Sequence, residues 1–159
     1  MLFRSLRLDV SELEQRLVLC YTGKPRQSGI NNWEVFKAHI DGKRTVQANL
    51  ERIAEVAQAM RESLENSDWN ETGRLMREEW LFRKKSLPTI STKTIDRIIE
   101  GARKKGALSG KVCGAGGGGC VVMLIEPGAR SAVEKAVENA GGQILPMKID
   151  RSGVQVTVS

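Results

Sequence analysis

Between positions 45 and 64, Val46, Leu50, Ile53, Ala57, Met60 and Leu64 follow one another at spacings of four and three. That stripe predicts an amphipathic helix. Asp68, with Glu71 three residues on, predicts a capped second helix that carries Trp69, Met76 and Trp80 on one side and ends before Pro88. Ser91 or Thr92 opens a third helix, with Ile95, Ile98, Ile99 and Ala102 inward and Gly106 as its stop. A fourth covers 129–140, aligns Val133, Val137 and Ala140, and ends at Gly141 and Gly142.

Around this helical middle the pattern shortens to strand length. Residues 5–10 and 17–22 read as strands joined by the polar link SELEQR. A polar loop at 23–29 follows, and Asn31 or Asn32 caps a short helix carrying Trp33 and Phe36. Residues 111–113 read as a short strand and 120–126 as a better one, broken by Pro127 and Gly128. Residues 143–149 and 154–158 read as a last strand pair turning at 150–153. Strands at both ends of a helical middle predict one domain over 1–159. It is an α+β sandwich, a mixed or antiparallel sheet covered by helices.

Composition narrows the function classes. No apolar run approaches the length that crosses a bilayer, and the first residues carry no sustained apolar region of a secretory signal. Three cysteines, none in a C-x-x-C, favour a reducing, cytoplasmic setting. A single His39 and unclustered cysteines argue against a transition-metal site. The net charge of +6 suits anionic partners. Its densest clusters, at Arg83, Lys84, Lys85 and at Arg103, Lys104, Lys105, sit at helix ends, where cations meet the carbonyl end of the dipole. Few aromatics are present to stack on single-stranded bases, so specific nucleic-acid recognition is not expected.

The chemistry concentrates in KVCGAGGGGC, positions 111–120. Gly114, Gly116 and Gly119 match the spacing G-x-G-x-x-G, but the run opens onto the strand CVVMLI rather than a helix, which argues against a dinucleotide site. No Gly-Lys-Ser or Gly-Lys-Thr follows, so it is not a Walker loop either. Gly114, Ala115, Gly116, Gly117, Gly118 and Gly119 hold more glycine than a tight hairpin needs. Something approaches this backbone closely: another loop, or an anion held by consecutive amides. Lys111 either reaches such an anion or is an exposed strand residue.

A second candidate follows the strand at 17–22. Thr22, Lys24, Arg26, Ser28, Asn31 and Asn32 gather hydroxyl, amide and cationic donors. A phosphorylated sugar uses that mixture, with Arg26 the first choice for its phosphate. The plainer alternative is a solvated loop whose asparagines cap a helix. Arg83 can reach the same cleft; Trp80 is core by its spacing. The cysteines read as structural.

KVCGAGGGGC followed by an apolar strand resembles the third, C-terminal motif of the GHMP small-molecule kinases, which include galactokinase, homoserine kinase, mevalonate kinase and phosphomevalonate kinase. YTGKPRQSGINNWEVFKAHIDGK, the helix around AMRESL and the segment EEWLFRKKSLP are similar to the branch of D-glycero-D-manno-heptose phosphate kinases. The likeness runs from about Leu6 to Val156. It implies a ferredoxin-like C-terminal lobe whose glycine loop lies beside the phosphates of ATP, with Mg²⁺ and ATP bound by the complete kinase. It also implies a partner lobe, N-terminal and absent from this chain, that carries the main phosphate loop and the carboxylate acting on the substrate hydroxyl. No catalytic residue and no metal ligand is expected here. The lone chain is expected to be inactive, to bind nucleotide weakly, and to meet either the missing lobe or another copy of itself through the interlobe face. A non-catalytic binding or assembly module is the alternative.

Overall fold

The computed structural model describes residues 6–26, 28–153 and 156–157, with the side chains of 28–31 excepted. Helix α1 (Val10–Arg16) leads into strand β1 (Leu17–Tyr21). Three helices follow: α2 (Ser28–Ile40), α3 (Arg44–Glu65) and α4 (Trp69–Ser86). A 3-10 turn (Pro88–Ile90) leads to α5 (Lys93–Arg103), β2 (Ala107–Val112), β3 (Cys120–Ile125), α6 (Arg130–Asn139) and β4 (Gln143–Leu145). The strand order is β2-β3-β1-β4, and every neighbouring pair is antiparallel. With β1 and β3 central and a helix returning after each, the expected ferredoxin-like α+β sandwich is present.

Alternation along β3 divides the core between the faces of the sheet. Val121, Met123 and Ile125 meet Ile95, Ile98, Ile99 and Ala102 of α5 and Val133 and Val137 of α6. On the other face, Leu124 packs with Trp69 and Met76 of α4, and Met60 and Leu64 of α3 lie against them. Each fully buried isoleucine or valine contributes about 1.5–3 kcal/mol over leaving it in water. The helix α5 starts where predicted, with the Thr92 hydroxyl accepting from Ile95 N at 3.2 Å. At α4, Asp68 Oδ1 accepts from Glu71 N at 2.9 Å, but the Glu71 side chain pairs with Arg74 instead of returning to the cap.

Five expectations are corrected. The helix carrying Trp33 and Phe36 begins at Ser28, so positions 31 and 32 lie inside it rather than capping it, and the strand expected at 111–113 runs over Ala107–Val112. The strand expected over 5–10 does not form across its described residues, 6–10, and the polar link is not a link. Residues 6–9 are irregular and SELEQR belongs to α1, because Asp9 Oδ1 caps Ser11 N and Glu12 N and Glu12 pairs with Arg16 one turn on. The buried stripe of α3 is turned slightly. Val46, Val56 and Ser63 are buried while Ala57 is exposed, since α4 packs along that side and Ser63 Oγ meets Thr72 Oγ1 at 2.9 Å. The last strand stops at Leu145 before Pro146, and at 150–153 Asp150 Oδ1 accepts from Ser152 N in a local turn. Val154, Gln155 and Val158 of the second predicted strand lie outside the described residues.

Candidate functional site

The two candidate segments meet at one end of the sheet. Tyr21 at the end of β1 is paired with Cys120 at the start of β3, so the loop leaving β1 runs beside the glycine loop that enters β3. Thr22 N donates to Gly119 O at 2.9 Å, and Gly119 N donates to Lys24 O at 2.7 Å. On its other side Gly117 N donates to Ile90 O at 2.8 Å, within the 3-10 turn. The glycine loop is therefore held between loop 22–26 and the turn after α4.

That arrangement explains the excess of glycine. A Cβ on Gly116 would lie 2.4 Å from Ile90 O, at a backbone φ of +73°. A Cβ on Gly118 would lie 2.3 Å from Pro25 O. Neither carbonyl can withdraw without breaking the loop that carries it, so glycine is required by close backbone approach. The amides of Gly117 and Gly119 are consequently spent on protein carbonyls. Those of Gly114, Gly116 and Gly118 make no hydrogen bond within the described residues. The loop is a clamp first, and an anion cradle only through its remaining amides.

Cations gather around it. The Arg26 side chain lies over the loop, with Nη1 3.6 Å from the position a Cβ of Gly114 would take. Arg83 Nη1 donates to Gly114 O at 3.0 Å. Lys111, on β2, pairs with Glu79 Oε2 at 2.6 Å, and Arg83 Nε lies 3.4 Å from Glu79 Oε1. Glu79 thus holds two of the three cations in place from α4. Glu79 is not among the candidates that residue type and motif single out in the sequence. The available signal was the spacing of Glu79 and Arg83, four apart on a helix that reaches the loop.

The remaining predicted residues divide. Thr22 is only 5 % exposed and its hydroxyl turns to Lys24 O at 3.4 Å, so it supports the loop rather than facing a ligand. Lys24 is exposed, as is Asn32 on α2; the side chains of Ser28 and Asn31 lie outside what is described. Ala115 is buried beneath the loop and Trp80 belongs to the core. Below the loop, α2, α3 and the end of α4 enclose a cavity of about 160 Å³. Phe36, Leu50, Ile53 and Ile90 give it apolar walls, and Asn32 and Arg83 give it polar ones.

Among the described residues no three His, Cys, Asp or Glu side chains come together in a metal-binding group, and no helix is long and apolar enough to cross a membrane. Burial pushes the Cys20 thiol up to about 11 and raises that of Cys113.

Comparison with known proteins is consistent with this geometry. Residues 60–143, more than half of the chain, match the family model described as GHMP kinases C terminal. A D-glycero-alpha-D-manno-heptose 7-phosphate kinase of Campylobacter jejuni is 28 % identical over 91 % of this chain and 42 % of its own length. The solved L. major mevalonate kinase, in complex with R-mevalonate, superposes with a TM-score of 0.72 at 21 % identity, over 84 % of this chain and 43 % of its own. A D-glycero-D-manno-heptose 1-phosphate kinase from B. thetaiotaomicron gives a TM-score of 0.58 at 24 % identity, over 91 % of this chain and 37 % of its own. The chain spans less than half the length of these relatives.

Proposed function

This chain belongs to the GHMP kinase C-terminal family, and on that premise we propose that it works as the C-terminal lobe of an ATP-dependent kinase for a sugar phosphate, a heptose phosphate in the first instance. The observation that carries the reading is the convergence of Arg26 and Arg83 on the glycine clamp. Phosphoryl transfer needs positioning and charge stabilisation more than covalent chemistry. Two guanidiniums and the remaining loop amides supply both to an anionic group lying on the clamp. The same residues suit the polyphosphate of ATP. They do not suit Mg²⁺: Glu79, the carboxylate tied to the clamp's cations, is engaged by Lys111 and Arg83. The metal, the general base and the main phosphate loop are then contributions of an opposing N-terminal lobe, and the lone chain turns over no substrate. The heptose branch is favoured by the relative matched over 91 % of this chain. Lys24, Arg26 and Asn32 are the side chains available to the acceptor.

Calorimetric titration of the purified chain with a heptose phosphate, and separately with MgATP, tests this. Binding that is lost in Arg26→Ala supports a usable half-site. Heptose phosphate binding unchanged in Arg26→Ala and Arg83→Ala would refute the assignment of these cations.

The alternative, an assembly module, draws on one observation. Trp33, Phe36 and Ile40 are 63, 60 and 76 % exposed along one side of α2. In the kinase reading this stripe faces the opposing lobe; in the other it joins two copies. Sedimentation across a wide concentration range separates them, since a strict monomer removes the assembly reading.

A further inference from the structure

Two cysteines bracket the glycine clamp, and nothing in the proposed kinase role uses them. Val112 of β2 lies opposite Val121 of β3, so Cys113 and Cys120 are the next opposed pair as the ladder opens into the loop. Cys113 N donates to Cys120 O at 2.8 Å. Opposed residues of an antiparallel pair share a face of the sheet, with Cα atoms about 5.5 Å apart where they are hydrogen bonded. A disulfide spans about 4.4–6.8 Å between Cα atoms. Both thiols are free; Cys113 is exposed and Cys120 half-buried. The third cysteine differs in kind. Cys20 lies opposite Val121, on the other face of the sheet, fully buried in the main core.

We propose that Cys113 and Cys120 form a reversible thiol modification site, a dithiol that oxidises to an intrachain disulfide across the neck of the glycine clamp. The oxidant is a small disulfide such as oxidised glutathione. The thiolate of one cysteine attacks it, forming a mixed disulfide and releasing one glutathione thiolate. The second cysteine, as thiolate, attacks the protein sulfur of that adduct and releases the other. The protein loses two protons and two electrons, and one glutathione disulfide becomes two thiols. The bridge closes residues 114–119 into a small covalent ring, so the clamp can no longer open from its neck. Burial raises the Cys113 thiol, so exchange is slow near neutral pH and accelerates as pH rises. That the bridge alters nucleotide contacts rests on the kinase reading; the dithiol chemistry does not.

The reduced chain is treated with oxidised glutathione, its remaining thiols are alkylated, and its mass and peptide map are measured. The expected product is lighter than the reduced chain by two hydrogen atoms before alkylation, carries a single alkyl group at Cys20, and yields a linked 113–120 peptide. Cys20→Ser keeps the bridge; Cys113→Ser and Cys120→Ser lose it. Phenylarsine oxide, which captures closely spaced dithiols, gives a readout independent of oxidation. One arsenic is retained by the parent chain and by Cys20→Ser, and none by either of the other variants. Oxidation that yields only glutathione adducts or interchain dimers, with no arsenical retained, overturns the proposal. If the bridge forms while heptose phosphate binding is unchanged in Arg26→Ala and Arg83→Ala, the kinase reading fails and the dithiol site stands.

Discussion

The layer between β3, α5 and α6 and the clamp at the end of the sheet are built on opposite principles. In the first, side chains make the fit: Ile95, Ile98, Val133 and Val137 are fully buried and the backbone is regular. In the second, the absence of side chains makes the fit, and backbone meets backbone at Ile90 and Pro25. The first arrangement tolerates a change of shape at a cost in packing. At Gly116 and Gly118 the second has no room for an added carbon atom.

The largest effect is expected in the layer. Ile98→Ala leaves a cavity among residues that cannot collapse onto it and should cost about 2–5 kcal/mol, read as a lower denaturant midpoint with unchanged slope. In the clamp, Gly116→Ala should cost about 2–4 kcal/mol, since strain and overpacking add. Its control is Gly128→Ala, which has a similar φ of +77° but nothing within 4 Å, and should cost about 1 kcal/mol. Equal costs at the two glycines would show that conformation alone, and not close approach, demands glycine at position 116.

The buried Cys20 offers a third, pH-based test. Its thiol titrates near 11 in the folded chain against about 9 when exposed, so the unfolded state loses its proton first as pH rises. The unfolded state therefore binds fewer protons between those values, and stability falls across that window by about 2–3 kcal/mol. Cys20→Ala should flatten the decline, measured as denaturation midpoint against pH. The smallest expected effect on stability is that of Glu79→Gln, about 1 kcal/mol. Removing the negative charge that holds Lys111 and Arg83 should tighten binding of inorganic triphosphate a few-fold, and less at high salt. A weakened affinity would mean that Glu79 matters more for aiming the cations than for neutralising them.

Much of the layer was legible in the sequence because periodicity reports burial directly. Ile95, Ile98, Ile99 and Ala102 read as one face and are one face. The same rule misplaced residues 5–10, where Asp9 capping and the Glu12–Arg16 pair outweighed a short apolar alternation. It also turned the α3 stripe, because the polar contact between Ser63 and Thr72 decides which side α4 occupies. At the clamp, the glycine excess announced a close approach but not its partners. Those are carbonyls of Lys24, Pro25 and Ile90, and a carbonyl is common to every residue type, so composition cannot announce it. Arg26, Arg83 and Lys111 were named from their charge, whereas Glu79 was missed because its part is to hold other side chains rather than to meet a ligand.

The clamp also bears on the order of assembly. It joins segments near positions 24, 90 and 118, so closing it requires chain stretches of very different sequence separation to be in place together. Contacts of such high contact order cost loop entropy before they return anything, and they are expected to form after the hairpin of β2 and β3 and the docking of α5. Substitutions in the clamp should accordingly speed unfolding while leaving the folding rate nearly untouched. A loop so placed needs three distant segments already in position, so protection of its amides against hydrogen exchange should be among the last to appear on refolding.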